Sequence, residues 1–259
     1  MSGAMEIRGS GPPLVLVPGM QGRWEWMTPT VDALARRFRV ATYSLCGEPG
    51  APPLEPSYAG DLERLDDACR ALGPDPVVLV GVSFGGCIAL HYAARHPERV
   101  RALVLASAPG PGFTLPPEQA RWLEAPRRSL PAFALGAPGR MLPELRNVFP
   151  SWSGRLRFAG RMLWHVARAP MSAPRAATRI HLVLADDLAV VAPRVTAPTL
   201  IVTGDDGLDR LVPPESTRQY RRYMTRTTVA RLEGTGHMGT ETRAATFAAL
   251  VGEFVGAHG

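Results

Sequence analysis

Short unbroken apolar runs alternate along the chain with longer stretches in which apolar residues recur every three or four positions. The runs are Leu14-Val15-Leu16-Val17, Val40-Ala41-Thr42-Tyr43-Ser44-Leu45, Pro76-Val77-Val78-Leu79-Val80, Val100 to Ala106 and Thr199-Leu200-Ile201-Val202-Thr203, with a last strand expected at Thr227 to Leu232. Apolar runs of this length, with little polar alternation, predict strands buried on both faces. Between them, residues 58–72 set Leu62, Leu65, Ala68 and Leu72 on one helical face. Thr28-Pro29 supplies an N-cap and a proline for the first helical position, predicting a helix through about Phe38. Further helices are expected from Ser83 to about His96-Pro97, from Pro213-Pro214 to about Tyr223, and from about Thr240 to Val255. A Gly- and Pro-rich loop is expected from Cys46 to Pro56. Strands alternating with helices predict an α/β fold with a mostly parallel, doubly wound sheet. Functional residues should then lie at the carboxyl ends of the strands.

The rhythm changes between Pro109 and about Pro198. Strand-like runs nearly vanish, proline recurs, and helical segments carry Trp122, Trp152, Trp164, Met141, Met162 and Met171. Trp152, Leu156, Ala159, Leu163 and Val166 fall at spacings of three and four, which predicts one packed helix face serving as core or as pocket lining. The expected division is an α/β core made of residues 1–108 and 197–259, with a helical cap over 109–196.

Composition narrows the picture. A chain of 259 residues, 46% hydrophobic, can hold one large domain with an insertion. No apolar run reaches the ~18 residues of a membrane span. The start, Met1 to Arg8, lacks a basic segment followed by a long apolar one, so no signal peptide is expected. Cys46, Cys69 and Cys87 are odd in number and widely spaced. They form no metal or redox pattern, which suits a reducing cytoplasm, and the serine chemistry set out below requires no metal or cofactor. Every basic residue is arginine; the absence of lysine excludes Schiff-base chemistry. Of the net charge of +6, residues 109–195 carry more than all, with twelve arginines against five acidic residues. Those arginines either attract an acidic substrate or partner, or are solvated helix faces. They fall in a helical segment without a recognition module, so nucleic acid is not the expected partner. A small molecule is.

The candidate chemistry centres on Gly81-Val82-Ser83-Phe84-Gly85-Gly86, a G-x-S-x-G between a predicted strand and a predicted helix. Bulk on either side of Ser83 would obstruct so tight a turn, hence the flanking glycines. The turn lifts the hydroxyl over the sheet edge, where the new helix aims its first N–H groups. A serine hydroxyl needs a base, and the base needs an orienting acid. His237, directly after the last strand, is the candidate base. His91 and His96 belong to a helix and its end, His165 and His181 to the insertion, and His258 to the tail. Asp209, before Pro213, is the preferred acid, with Asp205 and Asp206 as competitors. Oxyanion donors are expected from the backbone N–H of Phe84 and of Met20, since Pro18 has none.

These pieces resemble the α/β-hydrolase superfamily with a helical cap, over essentially the whole chain. Val17-Pro18-Gly19-Met20 with Trp26, the Ser83 turn, His96-Pro97-Glu98-Arg99-Val100, Asp209 to Pro213, and Gly236-His237 carry the resemblance. Two departures stand out: Pro-Gly replaces the family's usual His-Gly, and only Glu6-Ile7-Arg8 hints at the usual opening hairpin, so one edge strand is expected to be lost. The resemblance implies a serine hydrolase acting on an ester or related acyl compound. Similar enzymes cleave carbon–carbon bonds in dienoic keto acids, eliminate pyruvate in menaquinone synthesis or transfer acyl groups; a basic cap would suit their carboxylate-bearing substrates. A slow-turnover ligand sensor is the third reading. Serine at position 83 argues against the dehalogenases and epoxide hydrolases of similar fold, which use aspartate there.

Overall fold

The computed structural model describes residues 5–51, 56–128 and 135–258. Residues 52–55 of the predicted loop and 129–134 of the predicted cap lie outside these. The strands are β1 (Met5–Arg8), β2 (Pro13–Val17), β3 (Arg39–Tyr43), β4 (Val77–Val82), β5 (Val100–Ala106), β6 (Thr199–Thr203) and β7 (Thr227–Arg231). They form one seven-stranded sheet in the order β1-β3-β2-β4-β5-β6-β7. Only β1 runs antiparallel to its neighbour. Glu6-Ile7-Arg8 is therefore a full edge strand, paired with β3. From β2 the chain steps outward to β3 and then crosses back to β4 on the other side. The direction of winding thus reverses between β2 and β4, which opens a crevice at their carboxyl ends.

The apolar runs are unbroken because both faces of the sheet are covered. Helices α1 (Thr28–Leu34), α2 (Tyr58–Leu72) and α3 (Phe84–Arg95) lie within the first half of the chain. The segment between β5 and β6 holds α4 (Pro117–Glu124), α5 (Ala137–Val148), α6 (Trp152–Arg168), α7 (Ala173–Leu184) and the short α8 (Leu188–Val191). Then come α9 (Pro214–Arg218), α10 (Gly239–Thr242) and α11 (Ala244–His258). Val15, Val17, Ala41, Leu79, Leu103 and Leu105 pack with α2 and α3. Their chain neighbours Leu14, Leu16, Val40, Val78, Val80 and Val104 pack with α1 and α11 on the other face. Burying each such side chain stabilises the fold by about 1.5–3 kcal/mol.

Some predicted boundaries shift. The helix begins at Thr28 itself, with Met27 at the N-cap, and ends at Leu34 instead of Phe38. A turn closed by Arg37 and Phe38 N–H groups on Leu34 C=O brings Phe38 into the core before β3. The helix expected to reach Tyr223 is α-helical only to Arg218 and finishes as a 3-10 turn over Gln219–Arg222. The closing helix is two, broken at Arg243.

The larger correction concerns α6. It forms where its periodicity predicts, but turned about its axis. Phe158 and Met162 are buried with Leu145, against Met141, Phe149 and Met238. Trp152, Leu156 and Leu163, on the face predicted to pack, are 67%, 67% and 69% exposed. The helix has two apolar stripes, and among the described residues only the stripe of Phe158 and Met162, one turn apart, is buried. Arg155 and Arg168 lie 5.3 and 5.1 Å over the rings of Trp152 and Trp164. These guanidiniums partly cover the indoles left in water.

Candidate active site

β4 ends at Val82, and Ser83 turns the chain into α3 with φ 53° and ψ −123°. A non-glycine residue pays about 1–3 kcal/mol to hold such a conformation. Two backbone bonds keep it there: Ser83 N–H donates to Ala106 C=O, and Gly86 N–H donates to Ser83 C=O, both at 2.9 Å. The flanking glycines are required by close approach. A Cβ on Gly81 would lie 2.4 Å from Gly85 O, and one on Gly85 would lie 2.3 Å from Val17 O. Phe84 is the first residue of α3, so its N–H has no helical acceptor.

The loop after β2 faces this turn. Gly22 N–H donates to Gly19 C=O at 2.9 Å and closes it. Met20 lines the same cavity as Ser83 and Phe84. Its carbonyl accepts from Arg179 Nη1 at 2.9 Å, which ties down the peptide that follows.

His237 follows β7 on a loop anchored by Asp205 N–H to Thr235 C=O at 2.9 Å. Its Nε2 lies 3.1 Å from Ser83 Oγ. Its Nδ1 lies 2.9 Å from Asp209 Oδ2 and 3.1 Å from Oδ1. Asp209 is buried, and its Oδ1 also accepts from Leu211 and Val212 N–H at 3.0 and 2.9 Å. The competitors are engaged elsewhere. Asp205 Oδ2 accepts from Gly234 N–H at 2.7 Å, and Asp206 pairs with Arg218 at 2.9 Å near the surface. Among the other histidines, His91 pairs with Asp186 at 2.8 Å and His96 ends α3, so neither approaches Ser83 through these contacts.

Burial works against a protonated His237, but Asp209, by charge and hydrogen bond, more than offsets it, helped by Glu241 and Glu144. The imidazole therefore holds its proton to a higher pH than the ordinary 6.5. Burial pushes the Glu241 carboxyl up to about 8. No local pattern marked Glu144 as a neighbour of His237. It comes from α5 and reaches Met238, 94 residues away.

The cavity over Ser83 is mostly apolar. Met20, Phe113, Leu115, Ile180, Val183, Leu211 and Val212 line it, with Pro109 and Arg179. None of the tryptophans or methionines singled out in the insertion lines it. The insertion's basic charge is placed mostly outward: Arg127, Arg128, Arg146, Arg157, Arg161, Arg168 and Arg194 are exposed. Arg179 is fully buried and faces inward, yet it is already engaged. It pairs with Glu48 at 2.9 Å and donates to the carbonyls of Met20 and Cys46.

A sheet of this winding, with a serine turn at its reversal point, defines a fold class that hosts many chemistries. A family model for the alpha/beta hydrolase fold matches residues 12–244. The chain belongs to that family. It is 30% identical over 263 aligned positions to a 2-hydroxymuconate semialdehyde hydrolase of Pseudomonas sp. (strain CF600), covering 95% of this chain and 88% of the relative. It is 38% identical over 131 residues to a pimeloyl-[acyl-carrier protein] methyl ester esterase of Chromobacterium violaceum, a match spanning 49% of this chain and 50% of that relative. An esterase from Exiguobacterium antarcticum superposes with a TM-score of 0.79 at 21% identity, over 97% of this chain and 94% of that one, a likeness of fold. Among the described residues, no helix is long and apolar enough to cross a membrane.

Proposed function

We propose that this protein is a carboxylic ester hydrolase acting on a small molecule through an acyl-enzyme at Ser83. The observation that carries the reading is the unbroken relay from Ser83 Oγ to His237 Nε2, at 3.1 Å, and from His237 Nδ1 to Asp209, at 2.9 Å. Ser83 Oγ attacks the ester carbonyl while His237 takes its proton. The developing oxyanion accepts from the backbone N–H groups of Met20 and Phe84. Collapse breaks the ester bond, and His237 returns the proton to the departing alcohol. A water, deprotonated by His237, then attacks the acyl carbon and releases the acid and Ser83. Asp209 orients the imidazole and stabilises its charged form. Residues 109–196 serve as a cap, and its α7 closes the acyl pocket with Ile180 and Val183.

A second reading keeps Ser83 and cleaves a carbon–carbon bond in a carboxylate-bearing substrate, as the name of the Pseudomonas relative suggests for that protein. The placement of Arg179 weighs against it, because Glu48 already compensates that guanidinium. The test is hydrolysis of p-nitrophenyl esters from acetate to palmitate, wild type beside Ser83→Ala. We expect serine-dependent release with a chain-length optimum, and a loss of at least ~10³-fold in turnover for the variant. Retained activity in folded Ser83→Ala would overturn the assignment. No release from folded wild type would favour the carbon–carbon reading.

A further inference from the structure

We infer that Glu144, on cap helix α5, is a positioning residue for His237, so that the proton relay is completed only when the cap is seated on the core. The inference rests on the triad reading above.

Glu144 is buried, although it belongs to the cap. Its carboxylate crosses to the loop that carries His237 and grips it on both sides. Oε2 accepts from the N–H of Met238, the residue after the histidine, at 3.3 Å. Oε1 accepts from Thr242 Oγ1 at 2.6 Å, at the end of α10. On the other side, a Cβ on Gly236 would lie 2.7 Å from Leu208 O and 3.0 Å from Oε2, so the carboxylate and the Leu208 carbonyl together fill the place where a side chain before the histidine would stand. The residues flanking His237 are thus fitted to one side chain from the cap.

Charge separates this from a plain structural brace. Among the described residues Glu144 makes no ion pair with an arginine. A buried carboxylate without a cation is costly, and a glutamine of the same shape would hold the loop at lower cost. Burial pushes the Glu144 carboxyl above its ordinary range, while its hydrogen bonds from Thr242 and the loop backbone, and the imidazolium of His237, favour its charged form; that charge in turn favours the imidazolium. That cation forms each time Ser83 gives up its proton. Glu144 therefore acts on the transition state through His237, besides holding the loop.

The experiment compares wild type with Glu144→Gln and Glu144→Ala in the full chain. Three readouts are needed: the NMR titration of the His237 imidazole, the rate at which a fluorophosphonate labels Ser83, and kcat and KM on the best p-nitrophenyl ester across pH. Glutamine keeps an acceptor and removes the charge. We expect the His237 midpoint and the acid limb of kcat/KM to move to lower pH, kcat to fall roughly 3-fold, and KM to stay within about 2-fold. Alanine also strands the Met238 N–H and leaves the Thr242 hydroxyl only Met238 C=O, at 3.0 Å, so labelling and kcat should fall roughly 10-fold or more. An unchanged His237 midpoint in folded Glu144→Gln would overturn the inference. So would a variant whose only change is a raised KM, since the cap would then shape binding alone. If Glu144→Ala fails to fold, the glutamine variant still decides. The titration needs no substrate, so it separates failure of this inference from failure of the ester-hydrolase reading, which would show as unlabelled Ser83 and no ester turnover in wild type.

Discussion

The sheet and helix α6, in the segment between β5 and β6, use apolar residues in opposite ways. In β2, Leu14 to Val17 are buried without exception, alternate residues serving opposite faces of the sheet. In α6, residues just as apolar stand in water, and only Phe158 and Met162 are buried. A central strand has a layer on each side, so nearly every position is inside. A cap helix has the core on one side and solvent on the other, so periodicity tells that it is a helix but not which stripe packs. The inserted segment meets the core through apolar residues such as Val183 and Leu188, packed with α3, and through polar contacts that cross between the two. Arg179 meets Glu48, Asp186 meets His91, Glu144 meets the His237 loop, and Ala169 C=O accepts from Trp26 Nε1 at 2.8 Å.

The largest expected effect tests those contacts. Arg179→Ala would leave Glu48 buried with only the more distant Arg175, at 3.8 Å, as a cation. It should cost about 3–5 kcal/mol in denaturant unfolding, whereas Arg161→Ala on the exposed face should change stability by less than about 0.5 kcal/mol. Equal effects would mean that the cap is not seated through Arg179. The next contrast is apolar. Leu103→Ala in β5 should cost about 3 kcal/mol, and Leu163→Ala in α6 about 0.5 kcal/mol or less. A large cost at Leu163 would show that the stripe is covered in solution, and concentration-dependent sedimentation would then reveal a second copy as its partner.

The last prediction concerns slope with pH. The Glu241 carboxyl titrates at about 8 in the folded chain, against an ordinary value of 4.5. Between those values the folded protein keeps a proton that the unfolded chain has released, so this group makes stability fall as pH rises through the window. Below it the contribution is absent; above it, it is complete. Glu241→Gln should therefore gain on wild type at pH 8 more than at pH 5, measured by chemical denaturation. A parallel pair of pH curves would show that Glu241 is not held protonated.

Much of the candidate site was legible without coordinates. Ser83 stands out because the steric demands of its turn fall on Gly81 and Gly85, within two residues. His237 stands out because it directly follows the last strand, and strand ends are where such a sheet gathers function. The acid was less plain. Asp205, Asp206 and Asp209 sit within five residues, and their local surroundings do not rank them. Only the path of the loop shows that Asp209 turns inward against the imidazole while Asp205 takes the Gly234 N–H. The inserted arginines were ambiguous for the same reason. Composition counts charges, and burial of Arg179 beside Glu48 depends on a contact made across the fold.

The sequence alone determined the strands β2 to β7, the order in which they alternate with helices, and the serine turn. Each of these follows from the burial or steric limits of a few adjacent residues. Tertiary structure alone decided which stripe of α6 packs, which aspartate meets His237, and that Glu144 and Arg179 reach from the inserted helices to the loops at the sheet edge. Those choices join residues 28, 94 and 159 positions apart. They depend on distances through space that exist only once the chain has folded.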